Sequence, residues 1–510
     1  MGEEIAVDRF TREDRLRYRE KVKRCLDALR RMLAEDLFRA GHDLVGLELE
    51  IYLVDRDSAP MMINEKVLAH IESDDFQTEL GQFNIEFNLA PHRLGGTVLR
   101  QLEQELRSSL NHALERAEQL DARMLIIGIL PTLKDLHVCR ENMSNNPRYH
   151  ALNDQILQVR GEDLRIDIQG SERLVTMANS IVMESASTSC QLHLQVRPDD
   201  FARHWNAAQA LSAAQLAVGC NSPFFLGKEL WRETRIALFE QSIDTRTEEL
   251  AAQGVRPRVW FGERWIGSVV DLFEENVRYF QPLLPVLDDE DPLSALDRGE
   301  LPRLHELALH NGTIYRWNRP VYGVTGDEPH LRVENRVLPA GPSVADVVAN
   351  AAFYYGALRA LAEDPAPVSQ RLSFAAATEN FFAAARDGLD AQLYWPGLGV
   401  VPASELILRH LLPRAREGLD RWGIDLDDRD HFLSIIEARC TTGRTGASWQ
   451  VTSVRHLLAH DGMSREDALL EMTRQYVEHM HANRPVHTWP VDCPPAAVAS
   501  PAGSAPGVDP

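Results

Sequence analysis

The sequence predicts an α+β fold in which a mainly antiparallel sheet is backed by helices and followed by a helical C-terminal region. Strand-like segments are separated by long stretches, and strand and helix do not alternate regularly. This spacing argues against a doubly wound parallel sheet, in which a helix follows almost every strand. From Ser343 to about residue 480 the chain is rich in Ala and Leu and has the pattern of successive helices.

Hydrophobic spacing predicts the individual elements along the chain. Leucines at helical spacing predict a helix over residues 11–39, and a strand–loop–strand unit follows to about residue 91. The next predicted elements are an amphipathic helix over 97–120, a buried strand at MLIIGILPT, a helix over 201–219 and a hairpin within 311–340. The predicted organisation is an N-terminal helix (1–40), one large domain (41–480, mostly helical over 343–480) and a disordered Pro/Ala-rich tail (481–510).

Composition excludes several classes of partner. The formal charge of −22 at pH 7 argues against binding to nucleic acid or to an anionic membrane. Six dispersed cysteines without a CxxC pair are typical of reduced thiols in a cytoplasmic protein. The N-terminus lacks the apolar segment of a signal peptide, and no uncharged apolar run reaches membrane-spanning length. We therefore expect a cytoplasmic protein that acts on small molecules, with a homo-oligomeric state left open.

Four strand-like segments each place polar side chains on one face and aliphatic side chains on the other. They are GLELEIYLVD, GQFNIEFNLAP, SCQLHLQV and HLRVENRVLP. Because side chains alternate across a strand, the residues that share each polar face can be listed. They are Glu48 and Glu50; Asn84, Glu86 and Asn88; Gln191, His193 and Gln195; and Arg332, Glu334 and Arg336. Each strand alone could be an ordinary solvated face, but side by side they would form one surface dense in glutamate.

Clustered carboxylates of this kind predict a site for several Mg²⁺ ions. Glu48 and Glu50 lie only about 7 Å apart on one face, which is unfavourable unless a cation bridges them. Glu79 and Glu86, seven residues apart in FQTELGQFNIEFN, could meet at one ion across a Gly81–Gln82 turn. Two or three Mg²⁺ ions would use about six protein ligands plus phosphate oxygens. The candidate ligands are Glu48, Glu50, Glu79, Glu86 and Glu334, with Gln191 or His193.

Arginines supply the second half of the predicted site. Arg332 and Arg336 share the face of Glu334, where they could neutralise a phosphoryl group during its transfer. Arg235 in KELWRETR could equally form a surface ion pair with Glu233 on a helix. No GxxxxGK[ST] or GxGxxG motif is present, so a nucleotide would be held by another device.

Taken together, these segments resemble the glutamate–cysteine ligase family of carboxylate–amine ligases, which shares the catalytic fold of glutamine synthetase. The resemblance covers roughly residues 41–455 and rests on GLELEIYLVD, the Glu79/Glu86 segment, STSCQLHLQV, NSPFFLGKELWRETR, the Arg319 hairpin and RVENR. It implies a curved sheet of the glutamine synthetase type. It also implies an ATP- and Mg²⁺-dependent enzyme that joins glutamate, or a similar acid, to cysteine or another amine through an acyl phosphate; Mn²⁺ could substitute.

The resemblance also implies residue roles. Glu48 and Glu334, with Gln191 or His193, would hold the metal between the ATP phosphates, and Glu50, Glu79 and Glu86 would hold the metal near the acid. Arg319 and Arg336, with Glu50, would be catalytic, Arg332 and Arg336 would contact the nucleotide, and Arg235 or Arg246 would bind a substrate carboxylate. The family often has HxH or HxN where this chain has Gln191-Leu192-His193, so the choice between those two ligands stays open.

Two other functions are compatible with the same fold. A guanidino phosphotransferase would leave a phosphorylated product where a ligase leaves an amide. A non-catalytic scaffold is disfavoured because all five glutamates are present.

Overall fold

The computed structural model describes residues 10–38, 43–326 and 328–491. The strands are β1 (Leu44–Val54), β2 (Phe76–Thr78), β3 (Asn84–Arg93), β4 (Arg123–Leu125), β5 (Leu164–Gln169), β6 (Arg173–Ala178), β7 (Ser189–Gln195), β8 (Phe224–Phe225), β9 (Lys228–Glu229), β10 (Val259–Trp260), β11 (Tyr315–Arg316), β12 (Asn318–Thr325), β13 (Glu328–Pro339), β14 (Gln392–Trp395) and β15 (Gly399–Pro402).

The helices are α1 (Arg12–Ala34), α2 (Asn64–Ile71), α3 (Val98–Glu118), α4 (Pro147–Arg160), α5 (Pro198–Gly219), α6 (Thr234–Ser242), α7 (Glu248–Ala252), α8 (Val269–Tyr279), α9 (Pro292–Asp297), α10 (His305–Asn311), α11 (Val344–Ala362), α12 (Phe374–Asp387), α13 (Ala403–Leu406), α14 (Leu412–Trp422), α15 (Leu426–Thr442), α16 (Gly446–His460) and α17 (Arg465–His481). Among the helices of these described ranges, none has the length and apolarity needed to cross a bilayer.

The central sheet has seven strands in the order β12-β13-β7-β1-β3-β2, with β4 paired to the end of β1 beyond β7. Every pairing in it is antiparallel, and the sheet is curled. The predicted fold class is therefore confirmed. The four strands with polar faces are neighbours, although long segments separate them in the sequence.

One face of the sheet packs on helices, and the other carries the polar residues. Leu47, Leu49, Ile51 and Leu53 of β1 are buried in the hydrophobic core, as the alternation predicts. Helices α5 and α11 lie on the apolar side, where the Tyr355 hydroxyl donates to the carbonyl of His193 at 3.1 Å. These contacts fix the position and direction of the strands relative to the helices. They thereby hold the opposite, polar face of the sheet in place.

The predicted helix over 11–39 is present as α1, which begins with a capping box formed by Thr11 and Asp14. Helix α1 packs against α8, α9 and α10, and Tyr18 donates to the carbonyl of Glu306 at 2.8 Å. The predicted hairpin within 311–340 is β12 and β13. The C-terminal region is helical as expected, apart from the small β14–β15 hairpin.

Two predicted boundaries need correction. The segment MLIIGILPT is a strand only as far as Leu125, because the carbonyls of Ile126 and Ile127 accept side-chain hydroxyl hydrogens instead of ladder bonds. The predicted tail starts too early: Trp489 is fully buried, with its ring centroid 5.0 Å from that of Tyr476. Residues 492–510, the rest of the predicted tail, lie outside the described residues.

Candidate active site

The sheet register brings the predicted polar faces onto one surface. Glu48 on β1 lies opposite Gln191 on β7 and Asn88 on β3, and Glu50 lies opposite Glu86. On the other side of β7, His193 lies opposite Glu334. Arg319 on β12 lies opposite Glu334 in turn. This arrangement confirms that the four strands contribute to a single surface.

Glu50, Glu79 and Glu86 form one group of carboxylates, which we call the inner triad. One oxygen from each lies within 4.8 Å of the others. Glu79 reaches the group because the chain turns between β2 and β3, where the amide of Asn84 donates to the carbonyl of Gly81 at 3.0 Å. The Gly81–Gln82 turn predicted from the sequence therefore brings Glu79 and Glu86 together.

The inner triad has the electrostatics of a cation site. Burial, together with the charges of Glu86 and Glu50, holds the pKa of Glu79 well above its usual range. Burial and the charges of Glu48 and Glu50 raise the pKa of Glu86 to about 7. Such mutual repulsion in a partly desolvated site is relieved when a cation binds. Three carboxylates are also the oxygen donors that Mg²⁺ prefers, so the residues present fit the ion.

Glu48, His193 and Glu334 form a second group, the outer triad. Nε2 of His193 lies 3.1 Å from Oε1 of Glu48 and, within the described part of the chain, makes no hydrogen bond. Although burial opposes it, the neighbouring imidazole lowers the pKa of Glu48 to about 2. The set of one imidazole and two carboxylates, with His193 beside Glu48 and opposite Glu334 in the sheet, offers the nitrogen and oxygen donors of a divalent-metal site.

Gln191 serves a different purpose in this geometry. Its Nε2 donates to Oε1 of Glu50 at 3.0 Å, and its Oε1 accepts from Nη1 of Arg336 at 2.5 Å. Glu50 also accepts from the amide and the hydroxyl of Ser189, each at 2.8 Å. The side chain of Gln191 thus links an inner-triad carboxylate to an arginine, while His193 lies between the outer-triad carboxylates.

Arg319 and Arg336 hold Glu334 from two sides. Their guanidinium nitrogens lie 2.8 and 2.7 Å from Oε1 of that carboxylate. Although burial opposes it, these charges hold the pKa of Glu334 well below its usual range. Arg332 approaches the outer triad, where its Nε donates to Nδ1 of His193 at 3.1 Å. The three arginines therefore lie beside the outer triad, and Arg332 and Arg336 share the face of Glu334 as the strand alternation predicts.

The two arginines predicted to bind a substrate carboxylate have other partners in the structure. Arg235 is 2% exposed and bonds to Glu233 at 3.1 Å, so the ion pair considered from the sequence exists but is buried. The Arg235 guanidinium also donates to the carbonyls of Arg336 and Val337, where β13 bulges against β7. Arg246 pairs with Asp244, and its Nη1 donates to the carbonyl of Val255 at 2.9 Å. Burial removes Arg235 from contact with a ligand, whereas the side chain of Arg246 is 20% exposed and its predicted role stays open.

Two cavities meet at Glu48 and Arg332. The first has a volume of about 380 Å³ and a mainly apolar lining that includes Leu47, Leu89 and Pro91. The second has a volume of about 300 Å³ and is lined by Glu334 and four arginines, which are Arg148, Arg303, Arg319 and Arg332. The first can take a flat, largely apolar group, and the second suits an anion.

Some residues of this surface carry no signal in the sequence pattern. Glu184 lies in a 3₁₀ turn over Ile181–Ala186, and burial together with the charge of Glu50 raises its pKa to about 8. Arg148 lies in the first turn of α4, and Tyr315 lies just before β12. None of the three belongs to a polar-faced strand. The acidic ESAS and basic NPRYH segments were the only available hints.

Comparison with known proteins identifies the family. The sequence model of the family described as Glutamate-cysteine ligase family 2 (GCS2) matches residues 44–479 of the chain. The chain belongs to this family. Comparison with curated proteins gave no match. The predicted relationship to the glutamate–cysteine ligases is thus confirmed, and the chain is a ligase of the carboxylate–amine class.

Solved structures resemble this chain at low sequence identity. The glutamate–cysteine ligase (gshA) of Francisella tularensis, in complex with AMP, is 12% identical with a TM-score of 0.52 over 87% of this chain and 90% of that one. A bifunctional glutathione synthetase from Pasteurella multocida is 12% identical, with a TM-score of 0.46 over 86% of this chain and 52% of that one. The ligase PafA in complex with the ubiquitin-like protein Pup is 11% identical, with a TM-score of 0.37 over 86% and 72%.

Proposed function

We propose that this protein is an ATP- and Mg²⁺-dependent ligase that forms a γ-glutamyl-type amide from glutamate, or a similar acid, and an amine. The observation that carries the proposal is the pair of triads on one rigid surface. Glu50, Glu79 and Glu86 lie within 4.8 Å of one another, and Glu48, His193 and Glu334 lie beside them. The AMP complex of the Francisella tularensis ligase supports use of an adenine nucleotide.

The nucleotide would span the two cavities. The apolar lining of the 380 Å³ cavity suits the adenosine, and Glu48 and Arg332 border both cavities. The phosphates would then lie over the outer triad, where Arg319 and Arg336 point their guanidinium groups at Glu334. Mg²⁺ bound at the two triads would screen the negative charges of the carboxylates and the phosphates.

The reaction would proceed in two steps. An oxygen of the acid's carboxylate attacks the terminal phosphorus of ATP. The bond between that phosphorus and the bridging oxygen breaks, so that ADP leaves and an acyl phosphate forms. The amine nitrogen then attacks the acyl carbon, phosphate leaves, and the ammonium proton is lost to give the amide. Arg336 and Arg319 would stabilise the charge on the phosphoryl oxygens in the first step, because fixed guanidinium groups need no reorganisation.

Three side chains would position the arginine that contacts the phosphoryl group. Nη1 of Arg336 donates to Oε1 of Gln191 at 2.5 Å and to Oε1 of Glu334 at 2.7 Å. The buried Arg235 donates to the carbonyl of Arg336 at the bulge of β13. The geometry favours His193 over Gln191 as the metal ligand, because His193 lies beside Glu48 and opposite Glu334 whereas the Gln191 amide links Glu50 to Arg336. We assign Arg235 this supporting role in place of contact with substrate.

The proposal is tested with a panel of acids and amines in a coupled ADP-release assay that records product masses. ADP and phosphate should appear only when acid, amine and Mg·ATP are all present, together with an amide product. Glu50→Gln should abolish turnover while the protein stays folded, whereas the exposed Glu65→Gln should retain full activity. A phosphorylated product without amide would instead identify the guanidino phosphotransferase. Full activity in Glu50→Gln would refute the site assignment.

A further inference from the structure

The 300 Å³ cavity contains two arginines that no motif of the chain marks. Arg148 comes from the first turn of α4, and Arg303 lies just before α10, where its side chain is exposed at the rim. Arg319 and Arg332 line the same cavity. Four guanidinium groups from four separate segments therefore border one volume.

Arg148 is held in place but lacks an acceptor. Its backbone amide donates to the Oδ1 of Asn146 at 2.9 Å, which fixes the start of α4. Its Nη2 lies 3.8 Å from the point that a Cβ atom on Gly312 would occupy, so the side chain fits closely against that glycine. Its Nη1 is buried, and no described residue accepts a hydrogen bond from it. Because a buried donor without an acceptor is costly, a ligand oxygen would restore the missing bond.

The charge balance of the cavity also indicates an anion. Its acidic lining residues are Glu48 and Glu334, and Glu334 already accepts from Arg319 and Arg336. Arg148 and Arg303 therefore add positive charge that the lining carboxylates do not balance. A planar guanidinium pairs with phosphate or carboxylate through two parallel hydrogen bonds.

We propose that Arg148 and Arg303 form the outer half of an oxyanion subsite that binds a phosphate or carboxylate group of one reactant. The inference rests on the proposed function, in which two reactants carry such groups: the nucleotide has terminal phosphates, and the acid or the amine has a further carboxylate. Arg319 and Arg332 form the inner half, next to the outer triad. Both sources share the same oxyanion chemistry, and they are separable by experiment.

Calorimetric titration provides the first arm of the test. Mg·AMP-PNP and AMP are each titrated into the wild type, Arg148→Met, Arg303→Met and the double variant. Arg409→Met serves as the control, because Arg409 is 72% exposed and does not line the cavity. If the terminal phosphates occupy the subsite, the Kd of Mg·AMP-PNP rises about 10- to 100-fold, as expected for a lost charge-assisted hydrogen bond. The Kd of AMP stays unchanged, and Arg148→Lys recovers part of the affinity.

Steady-state kinetics provides the second arm. If a carboxylate of the acid or amine occupies the subsite, the KM of that substrate rises about 10- to 100-fold while the Kd of Mg·AMP-PNP is unchanged. The subsite is refuted if both quantities stay within twofold of wild type in a double variant with an unaltered melting temperature. Should the double variant fail to fold, Arg303→Met decides, because its side chain is exposed.

The two proposals can fail separately. If the wild type binds Mg·AMP-PNP but forms no amide with any acid and amine, the proposed function falls. The calorimetric arm still reports on the subsite in that case. If amide forms and neither arm responds, the subsite falls while the ligase function stands.

Discussion

Replacing Glu86 with glutamine should stabilise the metal-free protein and weaken its response to Mg²⁺. Glu86 is 8% exposed and lies opposite Glu50 in the sheet, with Glu79 also within 4.8 Å. Above pH 7 an ionised Glu86 adds negative charge beside Glu50 in a poorly solvated place. A neutral amide of similar shape removes that repulsion and can still accept the hydrogen bond that Asn88 donates at 2.8 Å.

The magnitude follows from the raised pKa of Glu86, about 7 against an ordinary 4.5. A carboxyl whose pKa is higher in the folded state binds more protons when folded. Its contribution to the free energy of unfolding is therefore present below pH 4.5 and is lost as the pH rises through 7. At pH 8 the ionised form costs up to about 3 kcal/mol, so Glu86→Gln should raise the free energy of unfolding by about 1–3 kcal/mol.

Urea denaturation at pH 5 and pH 8, with EDTA or with excess Mg²⁺, measures both effects. In EDTA the variant should gain most at pH 8 and little at pH 5, where wild-type Glu86 is largely protonated. Mg²⁺ should stabilise the variant less than the wild type, because binding to the folded state alone adds RT ln(1 + [L]/Kd) and only the outer triad remains intact in the variant. The exposed Glu65→Gln should change neither quantity. A destabilised variant in EDTA, or one that Mg²⁺ stabilises as strongly as the wild type, would refute the inner triad as a cation site.

Three further substitutions separate the roles of neighbouring residues. His193→Ala should raise the Mg²⁺ concentration for half-maximal turnover about 10- to 100-fold in a titration of activity against free metal, as expected for a lost ligand. Gln191→Leu should lower kcat through a misplaced Arg336 while that Mg²⁺ concentration stays near wild type; the opposite pattern in these two variants would exchange their roles. Arg235→Met should destabilise the protein by about 3–5 kcal/mol in chemical denaturation, because it leaves the buried Glu233 without its partner. An unchanged stability with a raised substrate KM would return Arg235 to substrate binding.

The strands that build the site could be predicted because polar and aliphatic residues alternate along them, and side chains in a strand also alternate between the two faces of a sheet. In β1 every second residue is a buried aliphatic and the intervening residues include Glu48 and Glu50, so alternation alone assigns the faces. Hydrophobic burial then fixes the register, since a slip by one residue would turn the glutamates into the core. The contribution of Glu79 also follows from local sequence, because a short turn limits how far its strand can depart from β3.

The rest of the site depends on contacts that a single sequence does not display. Arg235 lies in the first turn of α6 two residues after Glu233, a sequence that surface helices also have. Only the folded chain buries the pair, because Arg235 donates to carbonyls of β13 while Glu233 accepts from Asn221 and Ser222. The bulge in β13 is visible only once β7 is its partner. Arg148 and Glu184 lie at a helix start and in a 3₁₀ turn, where no periodicity predicts a direction for the side chain.

The central claim is that the acid is activated as an acyl phosphate before the amine attacks. Glutamate labelled with ¹⁸O in its side-chain carboxylate, or the corresponding label in whichever acid proves active, tests this directly. During turnover with Mg·ATP and amine, the released phosphate should carry one ¹⁸O atom from the carboxylate, and the amide should retain the other. Amide formation with unlabelled phosphate would contradict the acyl-phosphate route.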